Sequence, residues 1–184
     1  MQASVTPLLG ELLHSAARRY PSHDAIVFPD HRLSYAAFAS ESRTIARALL
    51  ARGIQPGDHV GILATNRPEY LPLLFACVLI GTVAVLLNAR FRKQELRHLV
   101  HHCDLKWIFT GNLKAVPNAE RLLEAFPELL RNSAPPSLTG DAAPQLQYLV
   151  ALDDTPSGPF EPWLDFLDSA EDVSEHTLHS ITTT

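Results

Sequence analysis

Leu71 to Ala89 is a run of nineteen residues, LPLLFACVLIGTVAVLLNA, without a single charge, and Arg90 closes it. An uncharged apolar stretch of that length has the dimensions of a membrane-spanning helix. Its internal grammar argues for two shorter buried elements instead. Gly81 separates a helix-favouring half (Leu73, Leu74, Phe75, Ala76, Leu79) from one spaced by the β-branched Thr82, Val83 and Val85. Upstream, Asn66-Arg67-Pro68-Glu69 reads as a helix start, with Asn66 as N-cap and Glu69 in capping-box spacing. Pro72 removes one backbone donor and predicts a kink near that start. The pattern therefore predicts a helix over 67–80, a turn at Gly81 and a strand over 82–87. A strand without polar alternation is expected to be buried on both faces, as in a parallel sheet covered by helices. No membrane span is expected.

Size and composition agree with a folded interior. The 184 residues, 46% apolar and 19% charged, suit one domain of fair size or one and a half. A formal net charge of −5 with no long basic cluster predicts no nucleic-acid partner and no anionic membrane surface. The acidic residues that gather late (Asp165, Asp168, Glu171, Asp172, Glu175) read as a solvated face. The cysteines, Cys77 and Cys103, form no CxxC pair, and no basic leader precedes the first leucines. That usage predicts a reduced, cytoplasmic protein.

Along the chain, Thr6 and Pro7 open a first helix with Leu8, Leu9, Leu12, Leu13, Ala16 and Tyr20 at helical spacing, stopped by Pro21. Residues 25–28 and 33–35 suggest a hairpin around the turn 29–32. Ser34 caps a second helix whose apolar stripe is Tyr35, Phe38, Ile45, Ala46, Leu49 and Leu50, and Gly53 ends it before a turn over 55–58. Strand 60–64, helix 67–80, strand 82–87, helix 92–103, strand 105–110, helix 118–130, strand 148–152 and a short helix within 162–167 follow in turn. This alternation predicts parallel strands with right-handed crossovers, hence a layered α/β fold: a mostly parallel sheet flanked by helices. The expected division is an alternating core over 1–131, a Pro/Ser-rich loop over 132–146, a last strand and short helix over 147–170, and an acidic, poorly ordered tail over 171–184.

Chemical motifs are sparse. With 8 glycines there is no GxxxxGK[ST] and no GxGxxG, so no phosphate-cradling loop is read. Thr182 to Thr184 have no glycine beside them and read as a frayed terminus. His98 and His102 lie four apart on one helix, with His101, Cys103 and Asp104 adjacent, in superficially metal-like spacing. Cys103 falls on the buried stripe, however, and histidines near a helix C-terminus are favoured by the dipole alone. No metal site and no catalytic set is therefore expected. Arg90 and Arg92 follow the C-terminal end of a buried strand, where α/β sheets place ligands, and a guanidinium there suits a phosphate. Spacing alone equally accommodates exposed arginines at a helix start.

Taken together and in order, Leu33-Ser34-Tyr35, Arg52-Gly53-Ile54, Gln55-Pro56-Gly57-Asp58-His59-Val60-Gly61-Ile62, Asn66-Arg67-Pro68-Glu69, Phe75-Ala76-Cys77, Gly81, Leu86-Leu87-Asn88-Ala89-Arg90 and Glu95-Leu96 resemble the N-terminal portion of the AMP-forming acyl-CoA synthetases. These belong to the adenylate-forming, AMP-binding enzyme superfamily, and the resemblance runs from about Leu8 to Thr110. It implies an enzyme that activates a small carboxylic acid with ATP as an acyl-adenylate, releases pyrophosphate, and passes the acyl group to coenzyme A. ATP, Mg2+ and coenzyme A are then the cofactors of the full-length enzyme, and a homodimer is left open. The family's phosphate loop, substrate pockets, magnesium-binding acid and C-terminal lysine come later than this segment. The resemblance thus implies an incomplete N-terminal α/β segment, inactive alone, binding none of those cofactors by itself, with no catalytic or metal residue. One role carries over: the arginine of a Leu-Asn-Pro-Arg motif contacts the nucleotide phosphate of coenzyme A, and here Leu87-Asn88-Ala89-Arg90 places Arg90 in that position. Ala89 replaces the proline, and Arg92 stands where the family often has a helix-capping serine. Asn88 is expected to hold the turn through side-chain to backbone bonds. A non-catalytic interaction module, and a relative that only adenylates or loads a carrier protein, remain alternatives. Which acid is activated is not legible.

Overall fold

The structure, a computed structural model, describes residues 9–112, 117–131, 143–153 and 158–182. The reading at Thr6-Pro7 lies outside them. Helix α1 (Leu9–Arg19) packs Leu13 with Ile26, Leu33 and Phe38, under the antiparallel hairpin of β1 (Asp24–Val27) and β2 (Arg32–Ser34). Helix α2 (Tyr35–Ala51) begins as expected, because extended Ser34 accepts a hydrogen bond from the Ala37 N–H through its hydroxyl at 3.2 Å. It also ends as expected. Gly53 adopts φ 83, and the amides of Gly53 and Ile54 turn back to the carbonyls of Leu50 and Leu49, a Schellman closure.

From there the chain builds β3 (His59–Leu63), α3 (Tyr70–Leu79), β4 (Val83–Leu86), α4 (Lys93–His102), β5 (Leu105–Thr110), α5 (Asn118–Ala125), β6 (Tyr148–Ala151), β7 (Glu161–Pro162), α6 (Trp163–Asp168) and α7 (Glu175–Thr182). The five strands β3 to β7 form one sheet in the order β4-β3-β5-β6-β7, every pair parallel. Side chains of neighbouring strand residues point to opposite faces. Trp107 and Phe109 thus enter one core with residues of α2, α3 and α6, and Ile108 enters the other with residues of α4 and α5. The fold is the layered α/β architecture that the alternation predicts, with the hairpin as a separate two-stranded sheet.

Several boundaries differ from the sequence reading, each for a physical reason. Strand β4 is not buried on both faces: it is the sheet's edge, with Val83 44% and Leu86 53% exposed. Helix α3 starts at Tyr70, not 67, and Asn66 does not cap it; Glu69 stands at the N-cap position and makes no capping bond. Its carboxylate instead accepts from Arg67 Nε at 2.8 Å. Pro72 then falls in the first helical turn, where amides have no intrahelical acceptor, so its missing donor costs little. The helix over 118–130 stops at Ala125, because Pro127 disfavours helical backbone at Phe126, which adopts φ −131, ψ 70; a 3-10 turn continues over Pro127–Arg131. The acidic stretch expected to lack order forms α7, whose Leu178 is buried and whose Glu175 pairs with Arg47 at 3.3 Å. Thr182 ends that helix; Thr183 and Thr184 lie outside the described residues. Among the described residues, no helix is long and apolar enough to cross a membrane.

Phe109 is fully buried against Trp163 and Phe166, with ring centroids 6.2 and 5.2 Å away. Phe109→Ala is expected to destabilise the chain by about 3–5 kcal/mol, whereas Leu86→Lys on the exposed edge is expected to change stability by about 0.5 kcal/mol or less. Urea unfolding of both variants at matched protein concentration measures the contrast.

Candidate functional site

The carboxyl ends of the strands carry the polar residues that could meet a ligand. After β3 the chain runs outward through α3 to the edge strand β4, then returns past β3 to β5. Loops therefore diverge between β3 and β5, the position at which open α/β sheets place their crevice.

At that position stands Arg67, on the loop after β3. Its guanidinium donates to Glu69 Oε2 at 2.8 Å, to Asp153 Oδ1 at 2.9 Å and to the Leu152 carbonyl at 2.5 Å. Burial works against its charge, but the hydrogen bonds it donates to Glu69 and Asp153, with the attraction of their charges, outweigh it, and its pKa lies above the ordinary arginine value. Asp153 Oδ2 accepts from the Asn112 amide at 2.6 Å, and Asn112 Oδ1 accepts from the Ala119 amide at 3.0 Å. Buried Asn118 donates to the Gly111 carbonyl at 2.9 Å. One network thus joins the loops after β3, β5 and β6 to the start of α5.

The loop after β4 is built differently. Asn88 Oδ1 accepts from the Arg90 amide at 2.9 Å, the side-chain to backbone bond expected of it, and the Asn88 carbonyl accepts from the Phe91 amide at 3.0 Å. Arg121 Nη1 donates to the Ala89 carbonyl at 3.1 Å, so the turn is held without a proline at position 89. The Arg90 side chain is exposed and its guanidinium has no partner among the described residues. Arg92 is also exposed, and the helix start that lacks a capping serine is supported by Glu95, whose carboxylate accepts from the Arg92 amide at 2.8 Å. A shallow apolar groove of about 370 Å³ along α4, lined by Phe91, Gln94, Glu95, His98 and Leu99, adjoins this turn in sequence.

The other predicted positions fall elsewhere. His98 and His102 are exposed with stacked rings 5.2 Å apart, and among the described residues no group of three His, Cys, Asp or Glu could hold a metal. A larger concavity of about 480 Å³ sits between Arg52, Tyr148 and residues 158–162. Arg52 and Glu161 form an ion pair there, and that pairing holds the Arg52 pKa above its ordinary value. Sequence reasoning gave Arg67 to a helix start and missed its partner Asp153, because nothing local connects residues on different strands' loops.

Residues 13–176 match the AMP-binding enzyme family. The chain belongs to that family. The acyl-CoA synthetase YngI of Bacillus subtilis, so named, is 32% identical over 173 residues, 92% of this chain and 31% of that protein. A long-chain-fatty-acid CoA ligase from Rhodopseudomonas palustris superposes with a TM-score of 0.72 at 21% identity, over 89% of this chain and 37% of that one. The N-terminal domain of FACL13 from Mycobacterium tuberculosis gives 0.69 at 21% identity, over 92% and 37%. This AMP-binding enzyme chain therefore has the fold of the N-terminal part of the adenylate-forming enzymes, and spans about a third of the length of these relatives.

The two free cysteines of this AMP-binding enzyme chain differ in access. Cys77 is fully buried, and burial pushes its thiol up to about 12, so the reactive thiolate is absent near neutral pH. Iodoacetamide at pH 8 is expected to modify half-buried Cys103 in the native chain and Cys77 only after denaturation, as read by peptide mass mapping.

Proposed function

We propose that the chain is the N-terminal segment of an ATP-dependent acid–thiol ligase, which activates a carboxylic acid as acyl-adenylate and transfers the acyl group to coenzyme A. The observation that carries this reading is the family match over residues 13–176, together with several relatives named as acyl-CoA synthetases or CoA ligases. The turn after β4 supports the coenzyme A half of it. A phosphate needs a cation that no internal carboxylate neutralises, and Arg90 is exposed with its backbone fixed by Asn88. Arg90 would hold a nucleotide phosphate of coenzyme A in that setting. Among the described residues of the rim, the carboxylates Glu69 and Asp153 both pair with Arg67. The family resemblance assigns ATP and Mg2+ to later parts of the full-length enzyme.

On this reading the segment alone is inactive, since it lacks the groups that stabilise charge developing on the transferred phosphate, a contribution worth several kcal/mol. Its setting is the cytoplasm, in keeping with its free thiols. In the full-length enzyme, Arg90→Ala is expected to raise the KM for coenzyme A roughly 10- to 100-fold, the range for losing a hydrogen bond to a charged group. Acid-dependent exchange of pyrophosphate into ATP should be unchanged. An unaltered coenzyme A dependence would sink the Arg90 assignment; pyrophosphate release by the 184-residue chain alone would sink its incompleteness.

A further inference from the structure

We propose that Arg67 is a built-in occupant of the crevice between the ends of β3 and β5, a positioning residue that fixes three loops and excludes phosphate from that crevice. In an open α/β sheet a bound ligand fills the gap where the strand order reverses. Here the gap is filled from within. Gly111, directly after β5, carries no Cβ, and a Cβ built there would collide with the Arg67 guanidinium. The guanidinium takes that space and reaches across to Leu152 and Asp153 beyond β6.

Nε donates to Glu69 Oε2, Nη1 to Asp153, and Nη2 both to Glu69 Oε1 and to the Leu152 carbonyl, so four of the five N–H groups are engaged within the chain. Among the described residues, one guanidinium against two carboxylates leaves this cluster a formal charge of −1, which disfavours a phosphate. The same atoms order the rim. Asp153, held by Arg67, accepts the Asn112 amide, and Asn112 in turn accepts the first-turn amide of α5. A planar three-way donor is needed for this geometry, and lysine, with a single nitrogen, cannot supply it. Arg67 and Arg90, each following a neighbouring strand, thus have opposite states among the described residues: one consumed internally, the other without a partner for its guanidinium.

The test uses nitrogen-edited NMR of the 184-residue chain with inorganic phosphate and ATP as anion probes. In the wild type the Arg67 Nε–H and the Gly111 and Asn112 amides are expected to stay unshifted by either anion, with slow exchange at Asn112. Arg67→Ala should accelerate Asn112 exchange roughly tenfold or more, the factor expected when a charge-assisted bond loses its support, while Ile62 and Phe109 amides keep their protection. Arg67→Lys should restore little of it. Gly111→Ala keeps every charge but denies the guanidinium its seat, and should give the same signature even where Arg67→Ala fails to fold. The proposal is overturned by an anion-induced shift at Arg67 in the wild type, by full Asn112 protection in Arg67→Lys, or by unaltered exchange in Gly111→Ala. No readout involves catalysis, so these outcomes are independent of the ligase reading.

Discussion

Strand β5 is paired on both sides, to β3 and to β6, and Leu105, Trp107, Ile108 and Phe109 along it are almost wholly buried. A strand in that position has its backbone satisfied entirely by neighbours and its side chains divided between two cores. The helices follow from this. Each face of the strand needs a cover, and the connections between parallel strands supply one. Burial of large apolar side chains, aliphatic and aromatic, each worth on the order of 2–3 kcal/mol, is the main favourable contribution. Charges act mainly at the two ends. Lys106 pairs with Asp58 at 2.5 Å and steadies the turn that leads into β3, while Arg67 steadies the opposite rim.

Sequence patterning revealed those features whose cause is local. Ser34 and Gly53 delimit α2 because a cap and a left-handed stop act within a few residues. Strand β5 lies where it was expected, residue for residue, since its apolar run is short and bounded. Asn88 closes its turn as foreseen. What escaped depends on distant partners. Strand β7 has only Glu161 and Pro162, and nothing in so short a piece announces pairing with Val150 and Ala151. Helix α7 carries a single buried leucine and forms because Leu178 reaches the main core and Glu175 reaches Arg47. Arg67 drew Glu69 away from capping, an outcome fixed by Asp153 across the sheet.

The two arginines that leave neighbouring strands illustrate how topology divides labour among like residues. Arg67 emerges at the reversal of strand order, where loops separate and a cation is hemmed in by carboxylates. Arg90 emerges from the outermost strand, and among the described residues no carboxylate pairs with it. Of the two carboxylates on Arg67, Glu69 is its neighbour in sequence, whereas Asp153 comes from another strand's loop. Position in the sheet decides which charge is spent on structure and which is offered outward.

The sheet's two borders differ in a way that affects any measurement made on the chain. The β7 border is two residues long and contains Pro162, which has no amide to offer a neighbour. The β4 border has four uncharged residues in regular register with β3, two of them with exposed apolar side chains. It carries none of the lysines, prolines or bulges that blunt an edge. A border of this kind leaves backbone donors and acceptors open to a second chain, so unfolding free energies of variants of this chain are best compared at one protein concentration.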